Sequence, residues 1–430
     1  DTFDYKPGLA EHDGQPLPFA KPRVQFSQTG NLLKSPWKFR QYGDCGAWVS
    51  DLFPQVGRCV DDLTFVHSLH GSNEAHGGAL LKINTGSDTF VRPSLGAWLS
   101  YGLGTENESL PSFVTINPTL GHGGVRNFGS AFLPPIHQAT RIATSRSNGQ
   151  TTAAIANLTH AGNSSAVQRL QLQLLGQLDE LRAADGAGGA VGGTGVPAAV
   201  DAELQARISS FELAFRMQSA APELMDLSGE SRATLDAYGV ERAQHPQATG
   251  RGNVAEAHRT YARNCLLARR LVERGTRFVQ LMHAGWDQHN SLTTELYNQC
   301  RDTDQPSAAL VRDLEQRGLL DETLVIWGGE FGRTPFIQGD INNRPRWGRD
   351  HHPYAFTVWL AGGGIREGMS WGASDDLGIN VADRGVHVHD LQATILHQLG
   401  IDHERLTWRF QGRQFRLTDI FGEVVQGILK

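Results

Sequence analysis

The chain has 430 residues, of which 39% are hydrophobic and 20% are charged, and its formal net charge is −6. This length is enough for a large α/β domain or for two ordinary domains. The acidic balance gives no support for a nucleic-acid partner or for binding to an anionic membrane surface. No apolar run approaches the roughly 18 residues that a membrane helix needs, so no membrane span is expected.

The cysteines and the first residue bear on the compartment. Cys45, Cys59, Cys265 and Cys300 do not have the CxxC spacing of a zinc site. The pairs 45/59 and 265/300 could be disulfides, or all four residues could be buried thiols, so the compartment stays open. The chain begins at Asp1 and shows no signal peptide. We therefore expect a processed or truncated product that has lost any export signal.

The N-terminal part, residues 1–160, contains one stretch with chemical potential. LTFVHSL (63–69) predicts a buried strand, and a short helix is predicted over Ala79–Ile83. His76 precedes this helix, and helix N-termini favour anions and lowered pKa values, so His76 could bind substrate or act as a nucleophile. Alternatively, Asn73 is an ordinary N-cap and His76 a surface residue. The glycine-rich loop 121–134 lacks the flanks of a phosphate-binding fingerprint and is at most a pocket rim.

A helical block, residues 161–275, divides the chain. Apolar residues recur at helical spacing and predict an amphipathic helix; they are Val167, Leu170, Leu174, Leu178 and Leu181. The Gly/Ala-rich run 184–200 predicts a mobile surface loop. Two more helices are predicted over Ala202–Gln218 and Val254–Arg274, and Gly275 is typical of the end of the second.

The C-terminal part, residues 276–430, holds most of the candidate metal ligands. Phe278–Met282 predicts a buried strand, after which the chain turns at Gly285 and presents Asp287 and His289. Ligands commonly bind beyond the carboxyl ends of strands in open sheets. A carboxylate and an imidazole two residues apart at such a place could hold a divalent metal. The alternative is a loop in which they only cap the next helix.

Three later stretches repeat this arrangement. A predicted helix over Ser291–Arg317 leads to a second strand, Leu324–Trp327, which predicts a βαβ unit with parallel strands. Further side chains that can bind a metal or that carry positive charge lie just after predicted strands or just before predicted strands and helices. They are Glu330, Arg333, Arg349, Asp350, His351, His352, His387 and His389. Of the pair 351/352 we favour His351 as a ligand, because His352 precedes Pro353 and could point back toward the sheet.

Carboxylates and imidazoles without thiolates fit zinc, manganese or iron, and calcium or magnesium if carboxylates dominate. A site this rich could hold one ion, or two ions about 4 Å apart that clamp a phosphate or sulfate ester. Arg333 and Arg349 add forked donors for an oxyanion. In the alternative interpretation these histidines are helix caps and core partners.

Several blocks of the chain resemble a known family: GWDQHN, VIWGGEFGRTP, GRDHHP and HVHDLQATILHQLGI, with DTFDYKP and NEAHGGALLKINTGS. They are similar to the signature blocks of the bacterial secreted family known as domain of unknown function 1501, across essentially the whole chain. The resemblance implies an α/β, alkaline-phosphatase/sulfatase-like fold, with a mostly parallel central sheet and helices on both faces. It also implies a single domain over 1–430 and a periplasmic or extracellular location.

The same resemblance assigns roles to single residues. Glu330 takes the position of a metal-binding aspartate, and Phe331 takes a second ligand position that it cannot fill. His76 falls near the nucleophile position of sulfatases and phosphatases, where no Cys, Ser or Thr stands in this chain. The family's first strand and its glycine-rich loop are expected to precede this sequence, which makes Asp1 a further candidate metal ligand.

The leading hypothesis is an exported metal-dependent hydrolase of sulfate or phosphate esters that uses metal-activated water. His76 and Arg333 are its candidate catalytic residues, with His76 as a general acid or a transient covalent carrier. We expect one or two divalent ions, with zinc or manganese favoured and calcium possible. The expected substrate is a small anionic ester or a sulfated or phosphorylated glycan. The alternative is a non-catalytic sulfatase-fold protein that binds carbohydrate or a surface partner around a structural metal.

Overall fold

Helices and strands alternate in the residues that the computed structural model describes, which are 1–20, 28–147, 150–155, 158, 162–187, 198–242 and 254–430. The α-helices there are α1 (Pro7–Glu11), α2 (His76–Thr85), α3 (Leu95–Leu103), α4 (Ser165–Ala187), α5 (Ala198–Met225), α6 (Arg232–Tyr238), α7 (Val254–Glu273), α8 (Leu292–Gln316) and α9 (Val388–Gln398). The strands are β1 (Thr29–Leu32), β2 (Phe39–Tyr42), β3 (Ala47–Ser50), β4 (Leu63–His70), β5 (Phe113–Ile116), β6 (Thr140–Ser147), β7 (Gln150–Ile155), β8 (Phe278–Leu281), β9 (Val325–Trp327), β10 (Gly332–Arg333), β11 (Phe336–Gly339), β12 (Trp347–Gly348), β13 (His351–His352), β14 (Phe356–Ala361), β15 (Met369–Trp371), β16 (Ala373–Ser374), β17 (Val381–Asp383), β18 (Val386–His387), β19 (Trp408–Phe410) and β20 (Arg413–Phe415). Parallel and antiparallel pairings both occur, so the protein has a mixed α/β fold.

The larger sheet has five strands and is built around β4 and β14. Its order is β15–β4–β14–β9, and β18 also pairs with β4. β4 runs parallel to β15 and β18 but antiparallel to β14, which is itself antiparallel to β9. Both central strands are largely buried on both faces, which indicates that the sheet is covered from two sides.

Side chains alternate across a strand, so neighbouring residues of β4 and β14 enter different cores. Val66 and Val358 pack in a core with residues of α3 and α9. Phe65 and Trp359 pack in a second core, on the other face, with residues of α8. Helices therefore cover both faces of this sheet, as expected.

The smaller sheet has the order β7–β6–β5–β8. β5 runs parallel to both β6 and β8, and β6 pairs antiparallel with β7. Val114 and Ile116 of β5 pack against Leu267 and Leu271 of α7, which anchors the long helix on this sheet. β8 lies at the edge of the sheet, and the chain that leaves it enters the candidate site.

The predicted βαβ unit is correct in its connection but wrong in the pairing of its strands. Helix α8 does join β8 to β9, but the two strands lie at the edges of different sheets, and β9 is paired antiparallel with β14. A cavity of about 1700 Å³ is lined by residues of both strands. A single, mostly parallel sheet is therefore not observed. Apolar periodicity identifies a strand but does not determine which strand is its neighbour, which explains the error.

The helical block differs from expectation at the two ends of the predicted loop 184–200, where 184–187 complete α4 and 198–200 begin α5. The intervening residues 188–197 lie outside the described part. The predicted amphipathic helix is present as α4, and the side chains of its apolar stripe are exposed.

Two further expectations concern the whole chain. Among the described residues, no helix is long and apolar enough to cross a membrane. All four cysteines are free thiols, Cys45 exposed and the other three buried, so neither of the two considered disulfides is present.

Candidate metal centre

Two loops and one short strand pairing bring four side chains to a common point. His76 is the first residue of α2, a few residues beyond the end of β4, and Asp287 and His289 follow β8. His351 begins β13, which pairs antiparallel with β10 so that His351 stands opposite Arg333. Elements from distant parts of the sequence thus meet at one place.

Three imidazoles converge on one carboxylate oxygen. The Nε2 atoms of His76, His289 and His351 lie 3.0, 2.9 and 3.1 Å from Oδ1 of Asp287. The Nε2 atoms of His289 and His351 are 3.0 Å apart. Donors around a tetrahedral zinc ion with bonds of about 2.0–2.2 Å are separated by about 3.4 Å, close to these distances. The four residues could hold a metal ion.

The second ring nitrogen of each imidazole also contacts an oxygen. Nδ1 of His76 lies 2.5 Å from Oε1 of Glu330, and Nδ1 of His351 lies 2.6 Å from the backbone carbonyl of Glu74. Nδ1 of His289 contacts Oε1 of Gln338. A metal-ligating histidine usually donates its other N–H to a carboxylate, carbonyl or water. These oxygens hold the Nδ1-protonated tautomer, which leaves each Nε2 lone pair for the common point.

The geometry around Nε2 of His76 provides a separate test of whether a metal fits. This atom is buried and makes no well-directed hydrogen bond, although it lies 3.0 Å from Asp287. A buried polar nitrogen without a hydrogen bond is costly, and a cation between it and the carboxylate would remove that cost. This buried nitrogen therefore supports a metal ion at the cluster independently of the types of residue that form it.

The charged groups of the site shift one another's pKa values, so binding of a cation would change their protonation. Burial lowers the pKa of His76, but its contacts with Asp287 and Glu330 outweigh burial and raise it to about 9. Burial raises the pKa of Asp287, yet the close contacts with His289, His351, His76 and Arg333 bring it well below its usual range. The carboxylate is thus ionised, and binding of a metal would displace protons from the imidazoles.

Two other predicted ligands lie directly behind the cluster. Glu330 contacts His76 and does not itself converge on the common point. Oδ1 of Asp350 lies 3.9 Å from Nδ1 of His289. Asp287 and Asp350 therefore lie on opposite sides of the imidazole of His289. Both acidic residues are placed to orient histidines.

The remaining predicted ligands lie elsewhere, which corrects the expectation that they would converge. Asp1 forms a two-contact ion pair with the buried Arg349, at 2.6 and 3.0 Å. His387 caps α9, accepting the backbone N–H of His389, and Nε2 of His389 contacts the carbonyl of Gly86 at 2.8 Å. His387 and His389 therefore act as a helix cap and a core partner, which was the alternative interpretation. A helix that begins at this point needs a cap.

The family model for "Protein of unknown function (DUF1501)" matches residues 1–429. The chain belongs to the DUF1501 family. The resemblance noted from the signature blocks is therefore confirmed. No curated protein matches the chain.

One similar solved structure is that of BT4656 in complex with its substrate, D-glucosamine-2-N,6-O-disulfate. It is 10% identical to the DUF1501 chain, and the match covers 88% of this chain and 77% of that chain at a TM-score of 0.32. A TM-score this low carries no argument about fold or function, so the site must be interpreted from its own geometry.

Two residues of the DUF1501 site take positions that sequence reasoning did not anticipate. His76, predicted as a general acid, is the fourth member of the cluster. Arg333, predicted as an oxyanion binder, donates to Oδ1 of Asp287 at 2.9 Å and to the carbonyl of Trp286 at 2.7 Å. The signal for His76 was its place at the start of a helix just beyond a buried strand, the same arrangement that identified Asp287.

Two contacts of the site had no signal in the sequence. Gln338, which holds His289, lies in β11 far along the chain, and the carbonyl of Glu74 belongs to the backbone. The ring of Phe331 packs at 5.0 Å from His76 and 4.5 Å from His351. Phe331 therefore supplies a packing surface at the position where the family pattern suggested a second ligand.

Proposed function

We propose that the chain is a metal-dependent hydrolase of sulfate or phosphate esters. The observation that carries the proposal is the convergence of three imidazole Nε2 atoms on Oδ1 of Asp287, with each Nδ1 held by an oxygen. Three nitrogen donors and one carboxylate suit zinc better than calcium, which prefers oxygen ligands. One such cluster occurs among the described residues, so we assign one ion.

The exposure of the cluster supports a catalytic over a structural ion. The side chain of Asp287 is 49% exposed, whereas that of His351 is only 4% exposed. The cluster is thus closed on the histidine side and open on the carboxylate side. Catalytic zinc sites are accessible to water and substrate, whereas structural zinc sites are shielded. The exposed side of Asp287 would give water or an ester access to a bound divalent ion, which would polarise the ester oxygen and lower the pKa of that water.

The residues around the cluster take defined roles in this proposal. Glu330 holds His76 through Nδ1, and Arg333 holds the carboxylate of Asp287. Phe331 packs against two of the imidazoles and keeps water from that side of the cluster. Each of these contacts keeps a ligand in place, which a dedicated metal site requires.

Proton donation to the leaving group needs a residue outside the cluster, because both ring nitrogens of His76 are engaged. We assign it to His122, an exposed residue on the glycine-rich loop whose ring centre lies 4.8 Å from that of His76. A general acid of this kind contributes roughly 10²- to 10⁴-fold to the rate. The sequence indicated at most a pocket rim for this loop, and His122 lines the large cavity.

The family blocks support three finer parts of the proposal. Their sulfatase-like character supports an alkaline-phosphatase/sulfatase type of fold and an anionic ester or a sulfated or phosphorylated glycan as substrate. It also supports export to the periplasm or the cell exterior. These parts rest on resemblance, whereas the metal centre rests on geometry.

The test is a panel of aryl sulfates and phosphate mono- and diesters, each assayed with zinc, manganese and calcium. Asp287→Asn should lose both metal and turnover, while Asp321→Asn, at a side chain 92% exposed, should lose neither. His122→Ala should keep the metal and slow turnover by roughly 10²- to 10⁴-fold. Stoichiometric metal without turnover of any ester would favour the non-catalytic binding protein instead.

A further inference from the structure

The apolar stripe of α4 is exposed, although a helix with such a stripe normally buries it against another element. The stripe consists of five residues. Their exposed fractions are 43% for Val167, 65% for Leu170, 56% for Leu174, 53% for Leu178 and 64% for Leu181. Contiguous apolar surface of this kind on a soluble protein marks an interaction site.

Helix α5 does not cover the stripe, because it packs on another side of α4. Nε2 of Gln218 in α5 donates a hydrogen bond to Oε1 of Gln168 at 2.7 Å, and the guanidinium of Arg169 lies 5.9 Å from the ring centre of Phe215. At 3.6 residues per turn, positions 168 and 169 point away from position 174. The stripe therefore faces outward.

The spacing of the stripe is symmetric about Leu174. Its residues follow one another at intervals of three, four, four and three, so each position before Leu174 has an equivalent one after it. In an interface with two-fold symmetry, residue i of one copy contacts residue j of the other and j contacts i. A two-fold axis at Leu174 would place Val167 opposite Leu181 and Leu170 opposite Leu178 of a second copy, with the helices antiparallel.

Charge is compatible with this pairing even though the chain has a net charge of −6. From Leu170 to Leu178 the helix carries no charged residue, so two copies meet there without repulsion. Gln171 and Gln177 flank the stripe at positions that the same axis exchanges. Glutamine side chains both donate and accept hydrogen bonds, so each can pair with the other across the axis.

We propose that α4 is the contact surface of an antiparallel homodimer of this chain. A helix of 23 residues is about 35 Å long and presents a strip about 10 Å wide, roughly 350 Å² for each copy. Stable complexes bury about 800 Å² for each partner. The dimer is accordingly reversible and depends on protein concentration.

The first experiment measures sedimentation equilibrium over a wide range of concentrations. The wild-type chain should pass from monomer to dimer, and Leu174→Glu should remain a monomer with unchanged circular dichroism. Gln173→Glu adds the same charge one position aside on the same helix and should dimerise like the wild type. A wild-type chain that stays monomeric, or equal dimerisation of Leu174→Glu and the wild type, would overturn the proposal.

The second experiment determines the orientation by oxidation of single cysteines introduced in a Cys45→Ser background. Leu174→Cys should form a disulfide between copies, because the axis brings the two equivalent positions together. Val167→Cys should not, because its equivalents would lie about 20 Å apart along antiparallel helices. Cross-linking of Val167→Cys to itself would show parallel helices, and cross-linking of neither variant would show another interface; both contradict the proposal.

Discussion

Nε2 of His289 lies 3.0 Å from Nε2 of His351, and both atoms face Oδ1 of Asp287. Two protonated ring nitrogens at this distance would repel each other, whereas two lone pairs directed at one cation would not. The short distance between these two nitrogens therefore supports a metal ion that both histidines bind.

Zinc should stabilise the folded chain, because a ligand that binds only the folded state raises the free energy of unfolding. At a free zinc concentration 100 times the dissociation constant the gain is about 2.7 kcal/mol. Thermal unfolding with zinc and with a chelator measures this difference. A double variant, His289→Ala with His351→Ala, is the control, and an equal zinc effect on this variant would count against the site.

Glu330→Gln should weaken metal binding by roughly 10- to 100-fold, as loss of a partner behind a ligating histidine typically does. The carboxylate contacts Nδ1 of His76 at 2.5 Å, and a neutral amide oxygen accepts a weaker hydrogen bond than a carboxylate does. Competition with a chromogenic chelator measures the affinity. Glu423→Gln, at an exposed glutamate, is the matched control, and equal affinities for the two variants would show that Glu330 does not position His76.

Arg333→Lys should lower metal affinity and kcat together while KM changes little. Its guanidinium holds Asp287 and two backbone carbonyls, and a lysine cannot reproduce that fork. Arg346→Lys, at an exposed position, should change neither quantity. A rise in KM with unchanged metal affinity would instead restore the role first predicted from the sequence, that of binding the substrate's anionic group.

His258 should make the stability of the chain depend on acid. Burial and the nearby charge of Arg242 lower its pKa from 6.5 to about 4, although the contacts of its two ring nitrogens with the carbonyls of Asp302 and Gly239 oppose this shift. The unfolded chain therefore binds a proton that the folded chain does not. Stability attributable to His258 should be full above pH 6.5, fall as pH falls, and level off near pH 4.

The difference between the wild type and His258→Gln isolates this contribution from the other groups that titrate in the window. Urea unfolding at several pH values should show the wild type losing on the order of 3 kcal/mol relative to the variant between pH 6.5 and 4. A difference that does not vary with pH would mean that His258 is not held neutral.

The sequence predicted the local elements of the site better than their arrangement. Strand β8 and the loop that carries Asp287 and His289 could be recognised because an apolar run ends at a glycine and polar side chains follow it. His387 and His389 show the same local pattern, yet they cap and anchor α9. Local pattern does not distinguish a ligand from a cap, because both need a polar side chain beside a helix start.

The tertiary differences have a similar cause. β8 and β9 are joined by one helix and still lie in different sheets, because strand pairing depends on contacts far apart in the sequence. The sequence correctly predicted that α4 is amphipathic, but the spacing of its apolar residues does not show which surface they contact. His76 joined the cluster because α2 begins beside β13, a proximity that only the folded chain shows.

The most direct test of the metal centre is anomalous X-ray diffraction at the zinc edge from crystals of the zinc-loaded chain. We predict one zinc peak for each chain, bonded to Nε2 of His76, His289 and His351 and to the carboxylate of Asp287. A zinc peak at other residues, or no peak at this cluster under zinc saturation, would contradict the account.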